Sequence, residues 1–167
     1  AWGVRLSYSV EGNVASSALE TLGGIARALP LLDDGDGAFI VAAGDIVTDF
    51  DYSRLVCAGR SLAEKGLQAH LVLVPNPSYH SSGDMTLDER GLVRREPRTH
   101  TFSSLGVYRT SLFEGVEPVR AKLFPWLWRF CEAGCVSGEV LEGMWFNVGD
   151  TRELALAEAR IRNQMEI

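Results

Sequence analysis

The sequence predicts an α/β protein with a mixed, mostly parallel sheet flanked by helices. Three observations carry this expectation. Phe39–Ala43 and Gln68–Val74 are short apolar runs with the length and composition of buried strands. Between them, Asp51–Lys65 reads as a helix, with Asp51 as its N-cap and Gly66 as its stop. A strand–helix–strand order with short loops is a βαβ unit, which implies a parallel pairing and a right-handed crossover.

The remaining elements follow in chain order. Val4–Val10 alternates apolar and polar residues, the period of a half-buried strand, and Glu11-Gly12-Asn13 breaks it. Thr21–Leu29 reads as a helix, with Leu22, Ile25 and Leu29 near helical spacing and Pro30 helping to end it. Gly23 and Gly24 each cost that helix about 1 kcal/mol against alanine. Such a pair at a helix start either lets a backbone or ligand approach closely or marks a loose start. Beyond Pro75-Asn76-Pro77, Met85–Glu89 and Leu92–Arg95 read as a hairpin turning at Arg90-Gly91. Thr101–Arg109 is a further strand. Val119–Cys131 is an amphipathic helix that Pro125 should kink. Its aromatic residues Phe124, Trp126, Trp128 and Phe130 are expected to pack rather than to hold a ligand. Val136–Leu141 and Met144–Val148 are two short strands, and a helix runs from Thr151 to about Met165.

Bulk properties narrow the function. The 167 residues suit one domain, with 46% hydrophobic and 23% charged residues, a globular composition. The net charge of −6 argues against nonspecific nucleic-acid binding, which needs a basic surface. It leaves room for a phosphorylated ligand held by a few placed cations. No apolar run approaches the length that spans a membrane. Cys57, Cys131 and Cys135 form no metal-binding or disulfide pattern, which fits a reducing cytoplasm. The chain opens at Ala1-Trp2-Gly3-Val4 directly into strand-like alternation, so a preceding segment is expected.

The stretch with the clearest chemistry is Gly44-Asp45, directly after the strand Phe39–Ala43. Open α/β sheets bind ligands beyond their strand ends. A carboxylate there is costly to bury alone, and a cation would offset that cost. The plainer reading makes Asp45 a turn or helix cap.

An ordered set of segments then resembles a family. It comprises Glu11-Gly12, Leu19-Glu20-Thr21 with Gly23-Gly24, Gly44-Asp45 with Thr48-Asp49, Asn76-Pro77, Gly83-Asp84 and Thr101-Phe102-Ser103. It continues through Lys122-Leu123, Val136–Glu139, and Trp145 with Val148-Gly149. The set resembles the sugar-1-phosphate nucleotidyltransferases over nearly the whole chain. Among them it is most similar to the N-acetylmuramate-1-phosphate uridylyltransferases of cell-wall recycling, and next to the mannose-1-phosphate guanylyltransferase-like group. The resemblance implies the Rossmann-like nucleotide-diphospho-sugar transferase fold. It also implies an enzyme that joins a nucleoside triphosphate, here UTP, to a hexose 1-phosphate with release of pyrophosphate. Magnesium is the implied cofactor, held by Asp45 and by position 147. Lys122 is implied to meet the sugar phosphate, and Asp45 and Lys122 are thus the implied catalytic pair. Glu20, Thr21, Gly23, Gly24 and Gly44 are implied to hold the nucleotide, and Asn76, Gly106 and Glu139 to form the sugar wall.

Three departures stand beside the match. The family's Gly-rich triphosphate loop, in its first strand–helix–strand, does not occur in this chain. Asn147 stands where the family has an aspartate, and an amide oxygen coordinates magnesium without adding charge. Leu22 stands where a third glycine is usual, and is expected to crowd the nucleotide. Two other readings follow: a non-catalytic sugar-phosphate or nucleotide-binding protein, and, from Asp49-Phe50-Asp51, a nucleotide-sugar-dependent glycosyltransferase. In the resembled fold Val4–Val10 is an outer strand reached through two strands that this chain lacks. A homo-oligomer or a strand-exchanged dimer is therefore expected.

Overall fold

The structure is a computed structural model that describes residues 3–32, 35 and 37–165. Its centre is a four-stranded sheet in the order β1-β6-β3-β7. These strands are β1 (Ala38–Ala42), β3 (Ala69–Pro75), β6 (His100–Arg109) and β7 (Val136–Val140). β1, β3 and β7 run in one direction and β6 runs against them. The sheet is therefore mixed and mostly parallel in strand direction, as the sequence implied. One expectation is corrected: β1 and β3 do not pair, because β6 lies between them.

Strand alternation assigns each face its own helices. Helix α2 (Ser53–Ser61) and its C-cap place Leu55 and Leu62 against Val72, Val74, Leu105 and Val107. On the other face, α1 (Glu20–Leu32), α3 (Leu123–Trp126) and α4 (Trp128–Glu132) cover Phe39, Leu71, Leu73, Tyr108 and Val136. Burying a leucine fully contributes about 1.5–3 kcal/mol, so these two layers supply most of the favourable term. The aromatic residues of α3 and α4 pack as expected, with Trp126 stacked on Phe113 at 5.3 Å. A short ladder, β2 (Ile46–Thr48) with β8 (Trp145–Asn147), stands off the main sheet. The expected hairpin is present as β4 (Thr86–Leu87) and β5 (Val93–Arg94), its turn held by Asp88 Oδ1, which accepts from the amides of Arg90 and Leu92. Helix α5 (Thr151–Met165) follows β8.

Several boundaries differ from the sequence reading. Val4–Val10 forms no strand, and Val4, Leu6, Tyr8 and Val10 are 58% to 81% exposed. Alternation makes a strand only where a sheet edge receives it, and no described strand pairs with this segment, whose Val10 carbonyl accepts from Arg27 Nε. Pro30 lies inside the last turn of α1 rather than ending it, at the loss of one helical hydrogen bond. The single kinked helix expected over 119–131 is two short ones. Val119–Lys122 is not helical, and Phe124, pushed towards β values ahead of Pro125, has φ −98° and ψ 136°. Asp51 does hold the start of α2, accepting from Ser53 N and Ser53 Oγ. Gly66 closes the turn after α2 at φ +68°.

The glycine pair of α1 has a packing role. A Cβ on Gly23 would lie 2.0 Å from the Val119 carbonyl oxygen, and one on Gly24 would lie 2.6 Å from Glu11 Oε1. Beside Gly23 the chain zips to the helix start: Leu22 N and Gly23 N donate to the Ala121 carbonyl, and Ala121 N donates to the Leu19 carbonyl. The next residue is Lys122. Gly23→Ala should therefore destabilise the protein by about 1–3 kcal/mol through overpacking. Helix propensity alone predicts a gain of about 1 kcal/mol. Urea denaturation decides the sign, and a gain would show that the Val119 segment is not held there.

Candidate functional site

A cavity of about 510 Å³ opens on the α1/α3 face, at the end of β1 where the chain turns into Gly44-Asp45. Its polar lining comes from Glu20 and Thr21 at the start of α1, Ser104 on β6, and Lys122 just ahead of α3. Val41, Ala43, Phe102, Leu123 and Phe124 supply the apolar part. Glu20 and Ser104 are the two described non-glycine residues with positive φ, at +60° and +63°. Each such conformation costs on the order of 1–3 kcal/mol, and such residues cluster where a ligand must be met. Both line this cavity.

Lys122 is exposed, and its ammonium makes no ion pair among the described residues. Glu20 is held by Arg120, whose guanidinium lies 3.3 Å from Glu20 Oε1. The amides of Leu22 and Gly23 are spent on the Ala121 carbonyl, and Glu20 and Thr21 line the cavity. Leu22 turns into the core at 4% exposure. The crowding expected of it is not present.

Asp45 and Asn147 come together through the β2–β8 ladder. Ile46 pairs with Asn147, and Val148 N donates to the Asp45 carbonyl at 2.8 Å. Gly44 and Asp45 form the turn ahead of β2, and the Asp45 side chain is exposed. Asn147 Oδ1 is buried and has no hydrogen-bond partner. A buried orphan acceptor costs about 1–3 kcal/mol unless something meets it. Among the described residues no group of three or more His, Cys, Asp and Glu side chains could hold a metal. One carboxylate and one amide oxygen nevertheless fit magnesium, which takes oxygen ligands, few of them from protein, and keeps the rest as water or phosphate.

The other expected residues lie elsewhere. Asn76 uses its amide to hold its own loop, donating to the carbonyls of Ser81 and Arg98 and accepting from Thr101 Oγ1 at 3.0 Å. Gly106 lies in the core, where a Cβ would be 3.1 Å from Tyr108 Oη and from the His70 carbonyl oxygen. Glu139 pairs with Arg54 and with His70 Nε2, and Val72, which shares the His70 side of β3, packs under α2. It thus faces away from the cavity. Burial lowers the His70 pKa, more than the Glu139 carboxylate raises it. Gly23 and Gly24 serve packing. Asp49 accepts from Met144 N at 2.8 Å and Asp51 holds Ser53, so both acids of the Asp-x-Asp motif are engaged structurally.

Ser104 and Tyr108 escaped the sequence reading, and Trp145, part of the motif order there, had no role assigned to it. Ser104 sits in a bulge of β6. Tyr108 lines the cavity with a buried hydroxyl that has no partner, its phenol pKa pushed up by burial. Trp145 Nε1 donates to the Ser103 carbonyl at 3.0 Å and so fixes the strand that carries Asn147. The signal for the bulge was a Ser-Ser pair between the apolar residues Phe102 and Leu105.

Asn147→Asp should raise magnesium affinity about tenfold or more in the presence of a nucleotide, since it adds a negative charge beside the cation. Titration calorimetry measures this directly. Equal affinities would remove Asn147 from the metal.

Comparison with known proteins bears on the family and the fold. No protein-family model matches the chain. It is 40% identical over 163 residues to the N-acetylmuramate alpha-1-phosphate uridylyltransferase of Neisseria meningitidis, covering 95% of this chain and 68% of that protein. It is 28% identical over 158 residues to the protein of the same name from Caulobacter vibrioides, covering 86% of this chain and 62% of the relative. Among solved structures, it matches a Bacillus anthracis chain assigned as a glucose-1-phosphate thymidylyltransferase. That match has a TM-score of 0.65 and 14% identity, over 91% of this chain and 62% of the other. HddC from Yersinia pseudotuberculosis, solved with GMP-PN, matches with a TM-score of 0.65 and 17% identity, over 86% of this chain and 63% of its own. The two structural matches speak to the fold, and the close relative speaks to the family. On the Neisseria match, over nearly its whole length, the chain belongs to the N-acetylmuramate alpha-1-phosphate uridylyltransferase family of sugar-1-phosphate nucleotidyltransferases.

Proposed function

We propose that the protein transfers a uridylyl group from UTP to N-acetylmuramate 1-phosphate. A phosphate oxygen of the sugar attacks the α-phosphorus, the bond to the β-phosphate breaks, and pyrophosphate leaves. The observation that carries the reading is one cavity lined by Lys122, Thr21 and two strained residues, Glu20 and Ser104, beside the Asp45–Asn147 pair. Such transfers ask the protein mainly for positioning and charge neutralisation. Lys122 supplies a cation for the sugar phosphate, and Glu20 and Thr21 hold the base and ribose. Asp45 and Asn147 are the residues that would hold magnesium, which neutralises charge on the phosphates when bound.

The free thiols Cys57, Cys131 and Cys135 accord with a cytoplasmic reaction, one that returns a cell-wall amino sugar to use. Burial pushes the Cys131 thiol pKa up to about 12, so it stays protonated and inert. No described helix is long and apolar enough to cross a membrane. Asn147, without a charge, favours a second reading, binding without turnover.

Pyrophosphate release across a panel of nucleoside triphosphates and sugar phosphates tests both readings. Release should be greatest with UTP and N-acetylmuramate 1-phosphate. Binding with no release from any pair, at saturating magnesium, would leave the non-catalytic reading standing. Lys122→Ala should raise the KM for the sugar phosphate by about tenfold or more, the loss of one charge-assisted contact. The outer edge of β1 is unpaired among the described residues, and such an edge favours pairing with a second chain. Light scattering should show a dimer, and a monomer would remove the strand-exchanged arrangement.

A further inference from the structure

A second cavity, of about 240 Å³, adjoins the first. Its lining includes Asp84, Arg95, Arg98, Phe102, Phe124 and Trp128. Phe102 and Phe124 line both cavities and meet edge to face at 5.8 Å and 72°. Trp128 extends this wall, its ring 4.9 Å from that of Phe124. A ligand whose phosphate sits at Lys122 therefore has a continuous aromatic wall for its adjoining ring, and aromatic faces suit the apolar face of a pyranose.

The charges along that wall are unequal. The Arg95 guanidinium lies 5.6 Å from the Trp128 ring centroid, a cation–π contact that orients the fork, and it makes no ion pair among the described residues. Arg98 is engaged by Glu96, with Nε 2.9 Å from Oε1. The one acid in the lining, Asp84, is also engaged: Oδ2 accepts from Phe102 N at 3.0 Å, and Oδ1 faces His80 Nε2 at 2.9 Å. Arg95 is thus the cation of the cleft without a protein counter-ion. A planar guanidinium matches a carboxylate in bidentate fashion, whereas a neutral hydroxyl uses little of its charge.

We infer that this cleft is a subsite for a carboxylate carried by the sugar ring of the acceptor, with Arg95 as the group that receives it. The inference rests on the proposed sugar-1-phosphate reading and adds to it the residue that sets acceptor choice. The lactyl acid of N-acetylmuramate is such a carboxylate, and N-acetylglucosamine lacks it. The positive group stands on the segment after β5, away from the Asp45–Asn147 pair, so it acts on acceptor binding and not on the transfer step.

Equilibrium binding of N-acetylmuramate 1-phosphate and of N-acetylglucosamine 1-phosphate to the intact protein tests this by calorimetry, and pyrophosphate release is followed in parallel. The wild-type protein should bind the acid about tenfold or more tightly than the neutral sugar. Arg95→Ala should bring that ratio close to one while leaving affinity for the neutral sugar unchanged, and Arg95→Lys should keep only part of it. Arg95 is exposed, so these variants should fold, and an unchanged melting temperature checks this. Equal weakening of both ligands by Arg95→Ala, or no wild-type preference for the acid, overturns the subsite. An Arg95-dependent preference without pyrophosphate release upholds the subsite and overturns turnover instead.

Discussion

The bulge at Ser103-Ser104 is the constraint on which the rest of the site depends. Along β3 the register passes from Val72 to Leu73 while along β6 it passes from Leu105 to Phe102, leaving two residues of β6 outside the ladder. Consecutive carbonyls of a strand point to opposite edges, and neither of these two goes to β3. That of Ser103 accepts from Trp145 Nε1 and that of Ser104 accepts from Ala43 N. The buried Ser103 hydroxyl repairs the gap, donating to the Val72 carbonyl at 2.7 Å and accepting from Leu105 N at 3.2 Å. One local defect therefore ties β1, β3, β6 and β8 together, and it turns Ser104 into the cavity at a backbone cost of about 1–3 kcal/mol. The β2–β8 ladder, which joins Asp45 to Asn147, hangs on the sheet through that indole. Its far end is closed by Thr48 Oγ1, which donates to the Met144 carbonyl.

The two faces of the sheet divide the polar work. On the α2 side, Glu139 pairs with Arg54 and meets His70 Nε2, and His70 Nδ1 meets Ser137 Oγ at 2.9 Å. This is a satisfied network, half-buried at His70 and Glu139 with Arg54 exposed over it, in which each group has a protein partner. On the α1/α3 side the polar groups are left unmet: Lys122 has no ion pair among the described residues, Tyr108 Oη has no hydrogen bond, and Glu20 and Ser104 are strained. Unmet groups and strain gathered on one face, with satisfied groups on the other, are what separate a site from a scaffold.

Much of this was legible in the sequence, and the parts that were not have physical reasons. The order of motifs placed Asp45 near Asn147, which lies a hundred residues further on in rough terms and which only a ladder could bring close. Lys122 was legible by resemblance alone, since nothing in its own segment distinguishes it from a solvated lysine. Glu139 was misplaced because a motif match says nothing about which face of a strand a residue takes, and a strand offers two. Val4–Val10 showed the period of a strand, but period describes a residue's readiness to pair and not the presence of a partner. The βαβ inference failed on adjacency because β6, arriving from later in the chain, runs between β1 and β3. Gly23 was read for close approach, and the Val119 carbonyl supplies it.

An acidic chain that binds anions has to collect its cations locally. With a net charge of −6, the protein as a whole repels anions at long range, so a bound phosphate depends on charges inside the Debye length of about 10 Å. Those charges stand on two stretches of irregular backbone, Arg95–Arg98 after β5 and Arg120–Lys122 before α3. Neither stretch could take this role from a regular element. A helix or strand would commit its backbone to its own ladder, whereas Ala121 is free to zip onto α1 and Arg98 to give its carbonyl to Asn76. The pairing of Arg120 with Glu20 and of Arg98 with Glu96 then thins the positive field to Lys122 and Arg95. A site with two separated cations, rather than a diffuse basic patch, discriminates by the spacing of charges on its ligand. A sugar with a phosphate at one end and an acid on its ring has such a spacing, and a simple phosphate does not.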